Sequence, residues 1–451
     1  MSFANPIVQA GLSGLASLYS DRAVTPVEAC EAYLSRIERL DATLGAFLAV
    51  DRDRARASAH DSAERWRRGA PLSPVDGAPV AVKANIAVEG LPWHAGIGAY
   101  RDRVADEDAA CVARLREAGA VILGTLNMSE GAFGGSMANP WFAKTHNPWV
   151  RDHIPGSSSG GSAAAVAAGL CAGALGTDTL GSVRIPSSLC GVFGHKPTSG
   201  LTPMEGVVPL SWTLDTVGVH ARSAGDCASL LGAASGAAAE LVQEIVDPAN
   251  LQALRETPVA ALEWSGVEVE PEVRAAFDAT VAATRAAGIP VEPLRLEGFD
   301  FSDRSDLFLL CAAEGTVVHA EALEKNPEGF SPSLRARLDI ATTRSAADLA
   351  RAYRVLADAA EAARLQLAPY SALLTPATPR ATVSYAIDYP VMTSFTALAN
   401  VLGLPATAFP IGLDAQGRPQ AVQALAWEDD VSLGLAALLG HDLGAPPAFQ
   451  G

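Results

Sequence analysis

Apolar positions along this chain alternate between helical and strand-like spacing, and the switches outline its elements. Ala29, Tyr33, Ile37 and Leu40 recur every three or four residues and predict a helix that begins at Pro26. Thr25 can cap it, Pro26 suits its first turn, and Glu28 completes a capping box. A second helix is expected through RDRARASAHDSAERWRRG, residues 52–69, so that residues 1–70 read as an N-terminal helical layer. Pro79, Val80 and Val82 then form a short apolar run, a buried strand with Lys83 near its end. The helix DAACVARLREAGA (108–120) and the strand VILGTLN (121–127) complete a strand–helix–strand unit. That order predicts an α/β fold with a parallel or mixed sheet.

Further on, CAGALGTD (171–178) reads as a strand, 223–235 as a helix, and 271–296 as a helix followed by a strand. Long helices are expected between 331 and 367, a strand end at ALLTPATP, a helix and strand through SFTALANVLGLPATAFPIG, and a last strand at PQAVQALAW. Residues 130–156 show little periodicity. So long an irregular stretch inside an α/β chain points to a functional loop. With no repeat and no low-complexity linker, the 451 residues are expected to form a single domain, 1–451.

Composition narrows the partners. The net charge of −17 argues against direct nucleic-acid or anionic-membrane contact, which would want a basic face. The longest apolar run, 162–176, is short for a membrane span and is built from small residues, as in a closely packed internal helix. Cysteines 30, 111, 171, 190, 227 and 311 form neither a CxxC pair nor a zinc spacing, and suit buried thiols in a reducing, cytoplasmic setting. The N-terminus lacks the basic start of a signal peptide. No metal site is expected, since the eight His are scattered.

Three segments could carry chemistry. GSSSG (156–160) matches the GxSxG nucleophile pattern with Ser158 central, but THNPWVRDHIP ahead of it is not the apolar strand that such an elbow needs. Lys83 stands in an apolar strand, where dehydration would lower its pKa and make it a base; snorkelling to solvent is the ordinary alternative. GTDTLGSVR (176–184) offers Ser182 with consecutive backbone N–H groups suited to an oxyanion hole. A serine nucleophile with a lysine base is a variant of the triad logic.

Together these segments resemble the amidase signature family of serine hydrolases. The resemblance rests on GAPVAVKANIAVEG, PGSSSGGSAAAVAAG, GTDTLGSVRIPSSLCGVFGHKPTSG and TLDTVGVHARS, in that order, and FTALANVLGLPATAFPIG further on resembles the family's closing segment. Lys83 and Ser158 are 75 residues apart, and Ser158 and Ser182 are 24 apart. The likeness runs from about residue 25 to about 430 and is densest in the catalytic core region, 77–220. It implies one large domain with a mixed, mostly parallel sheet covered by helices on both faces. Ser182 would be the nucleophile, Ser158 a proton relay preceded by a cis peptide bond, and Lys83 the base. Backbone N–H groups of Thr179, Leu180, Gly181 and Ser182 would form the oxyanion hole, with Ser159, Asp178 and Arg184 in support. No cofactor is needed. The partner would be a small-molecule amide, and a homodimer is an expected form; the alternative is the glutaminase component of a multi-protein transamidation complex.

Two positions depart from the family. Leu180 stands where Gly is usual; at positive φ it would be strained by about 1 kcal/mol, so its side chain is expected to face the substrate or the core. Ala84 replaces the usual Asp after the lysine, which favours a neutral Lys83. Phe133, Met137 and Trp93 are the substrate-pocket candidates. Trp141, Trp149 and Trp212 cluster in the same part of the chain, and His94 is expected to make a structural hydrogen bond.

Overall fold

The computed structural model describes residues 6–135, 137–236, 254–386, 391–444 and 446. Among the described residues, eleven strands form one sheet: β1 (Phe47–Val50), β2 (Pro79–Lys83), β3 (Val121–Leu126), β4 (Gly173–Asp178), β5 (Phe193–Lys196), β6 (Thr216–Ala221), β7 (Val259–Leu262), β8 (Val291–Leu294), β9 (Ala372–Pro376), β10 (Ala406–Leu413) and β11 (Pro419–Ala426). Their order is β1-β3-β2-β4-β6-β5-β10-β11-β9-β7-β8. Every residue of β2, β3, β4, β6 and β11 is buried, so both faces of the sheet are covered there.

The sheet is mixed, as expected. Parallel pairing is confined to β3-β2-β4 and β9-β7-β8, with antiparallel pairs joining these blocks through the middle. Parallel pairing is therefore less prevalent than the sequence suggested. Its place matters for the site. Because β2 and β4 run in the same direction, with Val82 opposite Leu175, their C-terminal ends open at one edge of the sheet.

The capping box at Thr25 and Glu28 is present, and its helix runs Pro26–Leu44. Among the described residues, the irregular stretch 130–156 holds no element longer than the 3₁₀ turn Glu130–Ala132. The small-residue run forms the helix Gly160–Ala167, buried at all eight positions. A Cβ at Gly161 would lie 2.3 Å from the Asn127 carbonyl oxygen. Glycine there lets the helix start against the end of β3. All six cysteines are unpaired and buried. Among the described residues, no helix is long and apolar enough to cross a membrane.

Candidate active site

Lys83 ends β2 with its side chain fully buried. Its Nζ donates to Ser158 Oγ (2.7 Å) and Thr177 Oγ1 (2.8 Å). Burial lowers the amine's pKa to about 7, against the opposing pull of Asp215 and Asp178. A neutral amine on a hydroxyl is a proton acceptor in place. Lys196 is equally buried, and burial together with Arg184 lowers it to about 7 as well. Among the described residues, its Nζ reaches only the Pro197 carbonyl (2.8 Å). Geometry, not pKa, separates the two lysines.

The four serines of the Ser/Gly turn have four different surroundings. The Ser157–Ser158 peptide bond is cis. Ser157 Oγ meets Ser129 Oγ (2.7 Å) and the Gly134 carbonyl. Ser158 Oγ faces Lys83. Ser159 ties the turn down: its N–H donates to the Ser182 carbonyl (3.2 Å), and its hydroxyl donates to the Thr177 carbonyl (3.3 Å). Ser162 lies inside the helix and donates to the Leu175 carbonyl (3.0 Å).

Ser182 is half-buried and lines a cleft of about 260 Å³. The turn that carries it is organised by Asp178. This carboxylate accepts from the N–H groups of Gly181 (2.8 Å) and Val183 (3.1 Å), and from Arg184 Nη2 (2.8 Å) and Nε (3.0 Å). Burial alone would raise its pKa. The Arg184 guanidinium and the hydrogen bond from Asn400 outweigh burial and hold it well below the usual carboxylate range. Arg184, also fully buried, donates onward to the Thr396 carbonyl (2.7 Å), Asn400 Oδ1 (2.7 Å) and Gln423 Oε1 (3.0 Å).

One expected oxyanion donor is already engaged: the Gly181 N–H donates to Asp178 Oδ1 (2.8 Å). Among the described residues, the N–H groups of Thr179, Leu180 and Ser182 donate to no protein acceptor. Gly181 has φ +122°, and a Cβ on it would lie 2.2 Å from Thr396 Oγ1. Leu180 is not at positive φ, and its side chain lines the cleft. The departure from Gly is therefore accommodated on the substrate side.

Several positions escaped the sequence reading. Thr177 holds Lys83, and Asn85 donates to Thr177 Oγ1 (3.2 Å). Thr396 Oγ1 donates to the Leu180 carbonyl (2.6 Å). Asp215, within the TLDTVG motif, accepts from Thr179 Oγ1 (2.5 Å) and from the N–H groups of Leu210 and Ser211; burial raises its pKa to about 6. The i, i+4 pair Thr396 and Asn400 in FTALAN was the available signal, a polar stripe on an otherwise apolar helix start.

The cleft wall also corrects the pocket candidates. Phe133 lines it, with Phe308, Leu210 and Ile185. Met137 is buried beneath Gly160 instead, and accepts from Ser129 Oγ (3.4 Å). Trp93 donates to the Asn85 carbonyl (3.0 Å) under a stacked Arg103 guanidinium, outside the cleft lining. Trp141 and Trp149 spend their N–H groups on Glu130 and the Cys190 carbonyl, and Trp212 is exposed. His94 accepts from the Gly96 N–H (3.1 Å), the structural bond expected of it. Arg337 is the one charged side chain in the cleft lining among the described residues. No group of three or more His, Cys, Asp or Glu is placed to hold a metal among those residues.

Comparison with known proteins shows the family and the fold. The pattern of the Amidase family matches residues 28–430. A glutamyl-tRNA(Gln) amidotransferase component from Anaeromyxobacter sp. (strain K) is 46% identical over 233 residues, which is 52% of this chain and 47% of that relative, about half its length. Its counterpart in Thermus thermophilus is 33% identical over 449 residues, covering 92% of this chain and 93% of that one. A solved amidase structure superposes with a TM-score of 0.84 at 30% identity, over 95% of this chain and 99% of the other.

Proposed function

Since the chain belongs to the amidase family, we propose that it hydrolyses a carboxylic amide C–N bond through an acyl-enzyme on Ser182. Neutral Lys83 takes the Ser158 proton, Ser158 takes the Ser182 proton, and Ser182 Oγ attacks the carbonyl carbon. The oxyanion is met by N–H groups of Thr179, Leu180 and Ser182. When the tetrahedral intermediate collapses, the C–N bond breaks and the relayed proton leaves on the amine. Water, deprotonated along the same route, then attacks the acyl carbon and releases the acid with Ser182 restored. Asp178 and Arg184 act through the turn they hold.

The observation that carries this reading is the 2.7 Å contact between buried Lys83 Nζ and Ser158 Oγ, beside a cleft that Ser182 lines. The cleft's apolar wall and single guanidinium favour an amide with an apolar body and a distal carboxylate facing Arg337. Six buried, unpaired thiols suit a cytoplasmic enzyme. A homodimer without nucleic-acid contact completes the proposal, and sizing chromatography checks it. The main test is a panel of aliphatic, aryl and urea-like amides and Gln, with products followed by mass spectrometry. Lys83→Ala and Ser182→Ala should each lose at least about 10³-fold in kcat/KM. Full activity in either purified, folded variant overturns the assignment.

A second reading follows from the relatives named as amidotransferase components: a glutaminase that works only within a complex. Turnover of simple amides by the isolated chain favours the stand-alone enzyme. Gln hydrolysis that appears only with partner proteins favours the other.

A further inference from the structure

We propose that Phe308 and Ile340 form a wall that limits substrate length, and that the second cleft behind them is a subsite for the zwitterionic end of a longer amide. The proposal rests on the cleft at Ser182 being the substrate site. Both side chains line that cleft of about 260 Å³, and both also line a neighbouring one of about 380 Å³. The two clefts thus share Phe308 and Ile340 as a common border. Phe308 comes from the helix Ser305–Val318 and Ile340 from the helix Pro332–Thr342, so each half of the wall is set by a separate rigid element.

The two clefts differ in chemistry. The inner one offers a single charge, Arg337, one helical turn before Ile340. The outer one holds Asp306, Arg344, Asp348 and Arg351. Asp348 and Arg351 pair with each other at 2.9 Å. Among the described residues, neither Arg344 nor Asp306 has an ion-pair or side-chain hydrogen-bond partner. One exposed cation and one half-buried anion, both without such a partner and both lining the outer cleft, match an amino-carboxylate group, whose carboxylate would meet Arg344 and whose ammonium would meet Asp306.

The test is a series of linear primary amides of increasing chain length, ended by a methyl, a carboxylate or an amino-carboxylate group. The readout is the ratio of long-chain to short-chain kcat/KM within each variant, so an overall loss of rate cancels. In the wild type this ratio should fall about tenfold or more once the chain outgrows the inner cleft. Phe308→Ala, with Ile340→Ala as the independent variant, should raise it by about tenfold for amino-carboxylate ends. Adding Arg344→Gln or Asp306→Asn should take that gain back. An unchanged ratio in both wall variants overturns the wall, and an equal gain for methyl-ended chains overturns the subsite's chemistry. If the wild type hydrolyses the series with no fall in kcat/KM as the chain outgrows the inner cleft, the wall is overturned while the site assignment stands; if Ser182→Ala hydrolyses the series as fast as the wild type, the assignment itself falls, and the proposal with it.

Discussion

The pH dependence of turnover gives the sharpest test of the base. An ordinary lysine with a pKa near 10.4 is neutral in only about one molecule in 2,500 at pH 7. Lys83, lowered by burial to about 7, is neutral in about half. Burial thus raises the active population by roughly three orders of magnitude. The sign follows from the role: the neutral amine is the working form, so activity is lost as pH falls through the folded-state pKa. The logarithm of kcat/KM should rise with unit slope below pH 7, reach about a tenth of its plateau near pH 6, and level off above about pH 8. Asp215 sharpens the prediction, because its charge is the larger of the two that hold the Lys83 pKa up. The near-isosteric Asp215→Asn keeps an acceptor for the Leu210 and Ser211 N–H groups while removing that charge. It should move the midpoint to lower pH, most visibly above pH 6, where the wild-type carboxylate is ionised. The assay is kcat/KM for a non-titrating amide at constant ionic strength, with product amine quantified. A profile flat from pH 6 to 8, a midpoint near 10, or an alkaline shift in Asp215→Asn would refute the reasoning.

Three further outcomes are expected. Thr396→Val removes the donor that pins the Leu180 carbonyl, so kcat should fall about tenfold with KM little changed and Thr396→Ser restoring it; a change confined to KM speaks against a positioning role. Arg184→Met leaves the fully buried Asp178 charge unpaired and should cost about 3–5 kcal/mol in urea unfolding, whereas a loss under 1 kcal/mol contradicts that account. Arg337→Gln should raise KM for carboxylate-bearing amides about tenfold or more and leave that of a neutral amide of equal length nearly unchanged; equal effects on both would remove Arg337 from substrate recognition.

The candidate reactive groups were legible in the sequence because they are carried by short motifs with local physical signatures. A lysine closing an apolar strand, a Ser/Gly turn opening a helix of small residues, and consecutive N–H groups before Ser182 are each visible in a dozen residues. The helix cap at Thr25 was legible for the same reason, since both partners lie within four positions. The Trp cluster misled because proximity in sequence is not proximity to a cleft. Trp93, Trp141 and Trp149 spend their N–H groups on loop and core acceptors.

The sequence by itself determined the family and the α/β class, because short motifs and local periodicity encode them, and the resemblance then singled out Lys83, Ser158 and Ser182 as the candidate triad. Only the tertiary structure decided which partners surround them. Thr396, Asn400 and Gln423 reach the Ser182 turn from more than 200 residues away, where no periodicity links them to it. It also decided that Gly181 spends its N–H on Asp178. The same holds for the cleft wall, whose Phe308 and Ile340 meet only because two helices pack side by side. A hydrogen bond or a cavity depends on distances in space, and the chain sets those only when the whole sheet and its helices have closed around the site.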